Sequence, residues 1–329
     1  MPANLPPAYY EAEKRFRTAR TNQEKIEILE EMLAIMPKHK GTDHLKADLR
    51  RKIARLSQAQ GKKGGPQRAS MLVEKEGAAQ VVVAGPPNTG KSQLVASVTK
   101  ASPAVADYPF TTQIATPGMM EFENIKIQLV DTPPLAAGAV PYWLPVLLRR
   151  ADALLLMVDL SDSPLDQLVD TTLQLEEMRI RPGRPGPEEA APGVTWKKAM
   201  VLANKLDMVG PAGAADSVLQ ALAAEHGGRL PVLAISARRG TGLEELRRAV
   251  FDLLEIIRVY TKSPGQKPDL EDPIVLPRGA TLADAAEDVH KDFRAKLKFA
   301  RLWGSGKHDG IMVKRDHVLE DGDIIELHL

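Results

Sequence analysis

Short apolar runs alternate with amphipathic stretches through the middle of the chain. The runs lie at 81–84, 153–158, 199–203 and 232–235, and their length predicts buried strands. Between them, apolar residues recur at helical spacing near 166–180, 213–226 and 242–259. Strands that alternate with helices predict an α/β fold, in which helices cover both faces of a mostly parallel sheet.

Two further stretches add detail to this sheet. Residues 114–122 and 125–130 flank a Glu-Asn turn, and we expect them to pair as antiparallel strands. The segment 181–193 is rich in proline and glycine, which predicts an exposed loop.

The two ends of the chain differ from the middle. Near the N-terminus, helical spacing predicts a hairpin of two helices before a Gly-rich joint at 61–66; the apolar positions are Ile26, Leu29, Leu33 and Met36, then Leu45, Leu49, Ile53 and Leu56. After a Pro-containing linker at 263–268, residues 273–276, 281–291 and 324–329 predict a small α+β module. We therefore expect three parts, at 1–70, 71–262 and 263–329.

Composition excludes several kinds of chemistry. The 329 residues include no cysteine, which rules out disulfides, thiolate metal sites and cysteine nucleophiles. No apolar run approaches the ~20 residues of a membrane helix, and the N-terminus lacks a signal pattern, so we expect a cytoplasmic protein without a membrane partner. The net charge of +1 conceals a basic N-terminal part, because residues 1–70 hold 15 Lys and Arg but 8 Asp and Glu. This asymmetry favours an anionic partner, although charge runs are often only solvated surface.

The strongest motif is the phosphate loop at 85–92, Gly-Pro-Pro-Asn-Thr-Gly-Lys-Ser. It follows a predicted strand and opens a helix, the context in which backbone N–H groups surround phosphates. We expect Lys91 to contact the β- and γ-phosphates and the Ser92 hydroxyl to bind Mg²⁺. The alternative is a Gly-rich turn that arose by chance.

A second motif, Asn204-Lys-Leu-Asp207, predicts a preference for guanine. The Asp207 carboxylate can accept hydrogen bonds from both guanine N1–H and the exocyclic amine, donors that adenine lacks. Asn204 can fix the base and its loop, and the Lys205 stem can lie over the ring. At Ser236-Ala237-Arg238, a backbone N–H is a candidate donor to guanine O6. Alone, each motif is also compatible with an ordinary turn after a strand.

Asp131 ends the predicted strand 125–130 and is a candidate Mg²⁺ ligand through water. Its alternative role is a helix cap, since it is followed by threonine.

Together these motifs resemble the translation-factor class of GTPases, within it the Obg-like group, and most of all the DRG (developmentally regulated GTP-binding protein) family. Asp107-Tyr-Pro-Phe-Thr-Thr112 looks like the first switch, which implies that Thr111 or Thr112 binds Mg²⁺ and the γ-phosphate. The stretch from Lys38 to Leu56 looks like the helical segment before the core. The stretches 277–281, 300–304 and 317–323 look like a C-terminal TGS domain, a ubiquitin-like β-grasp. The expected fold is therefore a Ras-like P-loop core between an N-terminal helical hairpin and a β-grasp module.

The chain departs from the family in two ways, and two further positions bear on the rate of hydrolysis. It has no room for the domain that DRG proteins insert within the GTPase region. Pro134 replaces the glycine of the second switch, Asp-x-x-Gly, and proline has no N–H to offer the γ-phosphate unless a neighbouring amide substitutes. Leu135 stands where Ras-like enzymes use glutamine to orient water, which implies slow hydrolysis. Asn88 matches a K⁺-binding position of K⁺-activated relatives, or else it only stabilises the loop.

We therefore predict a slow GTPase that acts as a switch and uses GTP/GDP, Mg²⁺ and, as a further candidate, K⁺. The predicted catalytic residues are Lys91, Thr112 and Asn88, and the predicted metal ligands are Ser92, Thr112 and Asp131. The predicted nucleotide contacts are Gly85, Pro86, Pro87, Asn88, Thr89, Gly90, Lys91, Ser92, Gln93, Thr111, Thr112, Asp131, Asn204, Lys205, Asp207, Ser236, Ala237 and Arg238.

The expected partner is the ribosome or its RNA, bound through the basic N-terminal part and the C-terminal module without DNA sequence specificity; a stimulating protein is a further candidate. In the module, the basic residues are Lys291, Arg294, Lys296, Lys298 and Arg301. Two alternatives remain: a non-hydrolysing adaptor, because of Pro134 and Leu135, and an ATP-using kinase, which the guanine motif opposes.

Overall fold

Apolar strands form the centre of the larger of two units into which the chain divides. The computed structural model describes residues 15, 28–29, 32, 49, 73–99, 115–136, 140–186, 192–210, 213–306 and 308–328. The smaller unit spans Met1–Met71 and the larger unit Leu72–Leu329. In the smaller unit, Leu29, Met32 and Leu49 are helical and buried, and most of the predicted helical hairpin lies outside the described residues.

The first sheet of the larger unit has seven strands among the described residues. They are β1 (Ala79–Ala84), β2 (Thr116–Phe122), β3 (Ile125–Asp131), β4 (Ala153–Asp159), β5 (Ile180–Pro182), β6 (Thr195–Asn204) and β7 (Val232–Ala234). Their order is β2-β3-β1-β4-β6-β5, with β7 also paired to β6. Among these strand pairs only β2 and β3 run antiparallel, so the predicted hairpin and the mostly parallel sheet are confirmed.

Helices cover this sheet. They are α1 (Lys91–Val98), α2 (Leu144–Arg150), α3 (Pro164–Glu177), α4 (Asp216–Glu225) and α5 (Leu243–Leu254). Apolar residues of α1 and α5 pack in one core with alternate residues of β1, β3 and β4. Apart from the exposed Lys126 near the start of β3, the intervening residues of these strands are also buried, and α3 contacts β4 and β5. Burial on both faces explains why the central strands are continuous apolar runs.

A second, mixed sheet forms the C-terminal module. Its strands are β8 (Ile256–Thr261), β9 (Ile274–Pro277), β10 (Phe299–Trp303), β11 (Ile311–Val313) and β12 (Ile324–His328), in the order β11-β10-β12-β8-β9. Strands β8 and β12 are parallel. Helix α6 (Leu282–Val289) packs on one face, and the short helix α7 (Lys291–Lys296) follows it. This is the predicted β-grasp arrangement. Thr281 and Asp284 cap the start of α6 reciprocally.

Two predicted elements are wrong in detail. The helix expected near 242–259 ends at Leu254, since Glu255 takes a left-handed φ of 54° and residues 256–261 form β8. Ile256, Ile257 and Val259 fit both helical and strand spacing along the sequence, and their pairing with β9 makes them a strand. The loop expected at 181–193 begins within the short strand β5. The expected limit between 262 and 263 falls just after β8, a strand of the second sheet.

Within the described residues, every helix is too short or too polar to cross a membrane.

Candidate nucleotide-binding site

The phosphate loop connects the carboxyl end of β1 to the first residue of α1. Gly85 and Gly90 have φ values of 154° and 96°, which favour glycine. A Cβ atom on Gly85 would lie 2.3 Å from the Met157 carbonyl oxygen, and one on Gly90 would lie 2.5 Å from Asn204 Nδ2. The two glycines therefore let the loop lie directly against β4 and the guanine motif. Asn88, with φ of 62°, is exposed at the tip of the loop.

Lys91 is a buried cation at the base of this loop. It is only 6% exposed, and its Nζ donates hydrogen bonds to the carbonyl oxygens of Gly85 (3.0 Å) and Pro86 (2.7 Å). Burial lowers the pKa of Lys91 to about 8, against the opposing charge of Asp131. An anionic phosphate beside Lys91 would relieve this cost, because it favours the charged form of the amine.

Ser92 and Asp131 form the candidate metal site. Ser92 Oγ donates to Asp131 Oδ2 at 2.6 Å. Among the described residues, the buried Asp131 Oδ1 has no hydrogen-bond partner. Burial raises the pKa of the Asp131 carboxyl, against the opposing effects of Ser92 and Lys91. A hydroxyl next to an incompletely satisfied carboxylate is an oxygen donor set of the kind that Mg²⁺ prefers, so these residues fit that ion.

Asn204 joins three loops of the site. Its Nδ2 donates to the Thr89 carbonyl oxygen at 2.8 Å, and its Oδ1 accepts from the Ala237 amide at 2.9 Å. The side chain is buried between the phosphate loop and the loop after β7. Asn204 thus fixes the loops, and the Ala237 amide is already engaged by it rather than free for guanine O6.

Asp207 is held as a carboxylate by the loop after β7. Ser236 Oγ donates to Asp207 Oδ1 at 2.6 Å and accepts from the Arg239 amide at 3.0 Å. The Ser236 hydrogen bond keeps the pKa of Asp207 below its ordinary value. Asp207 Oδ2 lies 3.9 Å from Arg239 Nε. The hydrogen bond from Ser236 therefore orients the Asp207 carboxylate, which we expect to bind the guanine base.

The Lys205 ammonium is held by a residue that the sequence analysis missed. It forms an ion pair with Asp159, the last residue of β4, which also accepts hydrogen bonds from the Ser161 amide and hydroxyl. Burial raises the pKa of Asp159, but the bonds from Lys205 and Ser161 outweigh it and hold the pKa below normal. The available signal was its position, since Asp159 ends a strand at the same sheet edge as the motifs.

The remaining predicted residues lie in different surroundings. Thr89 is buried, and its hydroxyl donates to the Pro86 carbonyl oxygen at 3.1 Å. Gln93 lies one residue beyond Ser92 and donates to Ser97 Oγ at 3.2 Å. Pro87 and Arg238 are exposed. Thr111 and Thr112 lie outside the described residues, as does the whole predicted first switch.

The start of the second switch is bonded to the phosphate loop. The Leu135 amide donates to the Gly85 carbonyl oxygen at 3.0 Å, and the Leu135 side chain is buried. The Thr132 hydroxyl donates to the Val83 carbonyl oxygen at 2.7 Å. The neighbouring amide that could substitute for the missing N–H of Pro134 is therefore already used.

Comparisons with known proteins give the family of the chain. A family model described as a 50S ribosome-binding GTPase matches residues 80–185, and one described as a TGS domain matches residues 257–329. An uncharacterised GTP-binding protein of Methanocaldococcus jannaschii is 31% identical over 366 positions that include 93% of this chain and 92% of that protein. The developmentally regulated GTP-binding protein 2 homologue of Dictyostelium discoideum is 27% identical, over 92% of this chain and 98% of that protein. This chain belongs to the DRG family of GTPases.

As a DRG-family member, the chain is a GTP-binding protein with a C-terminal TGS domain. Ribosome-interacting GTPase 1 of Saccharomyces cerevisiae is 25% identical, over 93% of this chain and 99% of that protein. The solved YchF GTPase of Schizosaccharomyces pombe covers 78% of this chain and 99% of its own, with a TM-score of 0.54 and 14% identity, and it shares the fold. The M. jannaschii alignment has more positions than the 329 residues of this DRG-family chain, so that relative carries residues without a counterpart here.

Proposed function

We propose that the chain hydrolyses GTP slowly to GDP and phosphate and acts as a nucleotide-dependent switch. One observation carries the proposal: Lys91, the Ser92–Asp131 pair and the Asn204–Asp207 motif lie at the carboxyl edge of one parallel sheet, joined by hydrogen bonds between their loops. In open α/β sheets, this edge is where ligands bind.

In the proposed reaction, water attacks the γ-phosphorus and GDP leaves. Asp207 and Asn204 orient the base and its loop, and Lys91 holds positive charge beside the phosphates while negative charge develops. Ser92, Asp131 and, as the resemblance implies, Thr112 would hold Mg²⁺, which neutralises phosphate charge when bound. The Leu135 side chain has no polar atom with which to orient water, and this supports a slow intrinsic rate.

Phosphate release from the full chain tests the proposal. We expect turnover above the buffer rate that is abolished in Lys91→Ala and retained in Lys126→Ala, a change at an exposed lysine of β3. Equal release from the chain and from buffer would contradict hydrolysis and favour the non-hydrolysing adaptor. Tighter binding of ATP than of GTP would contradict the guanine assignment.

We also propose K⁺ as a cofactor bound near Asn88. The support is the exposed position of Asn88 at the tip of the phosphate loop, where an amide oxygen can accompany a cation near the phosphates. Hydrolysis should be faster in KCl than in NaCl, and Asn88→Ala should remove the difference. Equal rates in the two salts would contradict this role.

We propose the ribosome or its RNA as the partner, in the cytoplasm. The name of the yeast relative and the excess of basic residues in 1–70 support this. In the module, Arg301 is exposed beside Met312, while the Phe299 and His328 rings stack 4.5 Å apart on the same side of the sheet. The positive charge that the module offers to RNA is smaller than the sequence suggests, because Glu287 of α6 pairs with Arg294 and Asp292 of α7 pairs with Lys296.

Cosedimentation of the full chain with purified ribosomal subunits tests the partner. We expect binding that depends on whether GTP, GDP or no nucleotide is present, and that weakens as salt rises, because phosphate contacts release counterions. Equal pelleting with and without subunits would contradict it. The three-part division at 1–70, 71–262 and 263–329 is likewise a proposal. The two separate sheets support a core followed by a C-terminal module, although β8 places the start of that module before residue 263.

A further inference from the structure

The β2–β3 hairpin connects the nucleotide site to the TGS domain. Its ladder runs from the Thr116–Asp131 pair at one end to the Phe122–Ile125 pair at the other. Seven paired residues per strand span about 20 Å. The Asp131 end belongs to the candidate metal site, and Thr116 follows closely on the predicted first switch. The opposite end is the turn formed by Glu123 and Asn124.

Arg258 of β8 fixes this turn. Its Nη1 forms an ion pair with Glu123 and lies 3.4 Å from Asn124 Oδ1. Asn124 Nδ2 donates to the Tyr260 hydroxyl at 2.6 Å and to the Leu270 carbonyl oxygen at 2.9 Å. The turn of the GTPase core is therefore bonded to a strand of the second sheet and to the loop that follows it.

Asp321, in the turn before β12, holds the other side of Arg258. The guanidinium donates from Nε to Asp321 Oδ1 at 3.0 Å and from Nη2 to Oδ2 at 2.7 Å. The Arg258 amide also donates to Asp321 Oδ1 at 2.7 Å. One guanidinium thus joins a carboxylate of the TGS domain to a carboxylate of the hairpin turn. Only arginine supplies donors in such a fork, since the lysine ammonium is a single point.

The Arg258 guanidinium is buried against two aromatic rings. Arg258 is 8% exposed, and its guanidinium carbon lies 5.0 Å from the centroid of the Phe251 ring and 5.9 Å from that of Phe122. The two rings stack at 4.9 Å, so an aromatic pair from α5 and β2 covers the charge. A charge removed from water in this way keeps its place only while both carboxylates remain paired with it.

We propose that Arg258 transmits the nucleotide state of the core to the TGS domain by tying the β2–β3 turn to Asp321. The inference rests on the proposed switch function. Binding of the γ-phosphate beside Asp131 displaces the Thr116–Asp131 end of the ladder. Because the ladder is continuously paired, that displacement reaches the turn and moves the TGS domain with it. The element that both sites bias is the hairpin, which is the requirement for coupling.

A distance measurement on the full chain tests this connection. The chain has no cysteine, so Gln220→Cys and Met312→Cys place one spin label on α4 and one on the exposed face of β11 without background labelling. We expect the distance distribution to shift between the GDP-bound and the GTP-analogue-bound protein. Arg258→Lys should abolish the shift.

Two further variants keep the test decisive. Arg294→Lys makes the same replacement in an exposed ion pair within the TGS domain and should retain the shift. Tyr260→Phe removes only the hydroxyl that accepts from Asn124, and it should reduce the shift even if Arg258→Lys does not fold. A distribution that is the same with both nucleotides in the parent protein would overturn the proposal, and so would a full shift in Arg258→Lys or in Tyr260→Phe. Phosphate release is measured on the same labelled protein, so an immobile TGS domain on an active GTPase contradicts the coupling alone.

Discussion

Replacing Pro134 by glycine should restore an amide N–H where the resembling GTPases contact the γ-phosphate. The loop around it is held on both sides, by the Thr132 hydroxyl on the Val83 carbonyl oxygen and by the Leu135 amide on the Gly85 carbonyl oxygen. We therefore expect Thr132 and Leu135 to keep their positions when Gly replaces Pro134, so that the variant differs from the parent mainly by the new N–H. Because the Leu135 amide is already bonded at 3.0 Å, it cannot supply this contact without losing its own partner.

The expected gain follows from one charge-assisted hydrogen bond made to GTP but not to GDP. Such a bond contributes about 1.5–3 kcal/mol. The ratio of GTP to GDP affinity should therefore rise by about 10- to 150-fold in Pro134→Gly. Glycine also gains entropy in the unfolded chain, which costs about 0.4–1 kcal/mol of stability. That cost applies to both nucleotide complexes and leaves their ratio unchanged.

Isothermal titration calorimetry with GDP and a non-hydrolysable GTP analogue gives both affinities. Pro133→Gly is the matched control, because it loosens the same loop and creates an N–H one position away. We expect a change of ratio in Pro134→Gly and little change in Pro133→Gly. An unchanged ratio in Pro134→Gly, or an equal rise in both variants, would refute the reasoning.

Three other predictions concern buried groups of the site. The pKa of Lys91 is about 8 without nucleotide and phosphate charge raises it, so nucleotide binding at pH 8 should take up about half a proton, and nucleotide affinity should fall as the pH rises further. Calorimetry in buffers of different ionisation enthalpy measures this proton uptake, and identical binding enthalpies in all buffers would contradict it. Asn204→Ala leaves the Thr89 carbonyl and the Ala237 amide unpaired, so urea denaturation should show a loss of about 2–4 kcal/mol in the free energy of unfolding. A loss below ~0.5 kcal/mol would be inconsistent with two buried hydrogen bonds. Ser236→Ala removes the hydrogen bond to the Asp207 carboxylate, so the pKa of Asp207 should rise towards its ordinary value and GDP affinity should fall by about 10-fold, the loss expected for one hydrogen bond to a charged group. Unaltered GDP binding would show that Asp207 does not need the Ser236 hydroxyl.

The sequence by itself predicted the parts that depend on neighbouring residues. The phosphate loop, the motif at 204–207, the central strands and the β2–β3 hairpin each have a local signature: glycine positions, polar residues directly after a strand, or an apolar period. Local signatures are reliable because they report the backbone conformation of the same few residues. The sequence also predicted that helices cover both faces of a mostly parallel sheet, because strands that alternate with helices have few other ways to bury both faces of the sheet.

Local patterns were insufficient where one stretch of chain suits two conformations. Ile256, Ile257 and Val259 continue the helical spacing of α5, yet their pairing with β9 makes them a strand. Pairing of this kind depends on residues distant along the chain, and one sequence shows no sign of it.

Only the tertiary structure decided which distant residues meet. Asn204 bonds Thr89 across 115 positions, Lys205 pairs with Asp159, and Arg258 joins Glu123 to Asp321. In the sequence, motifs mark Thr89, Asn204 and Lys205 but do not indicate which distant residue each contacts, and Asp159 and Arg258 belong to no motif. Their roles arise because the fold brings these residues together in space and buries Asn204, Asp159 and Arg258, and a polar group that is removed from water must find a partner.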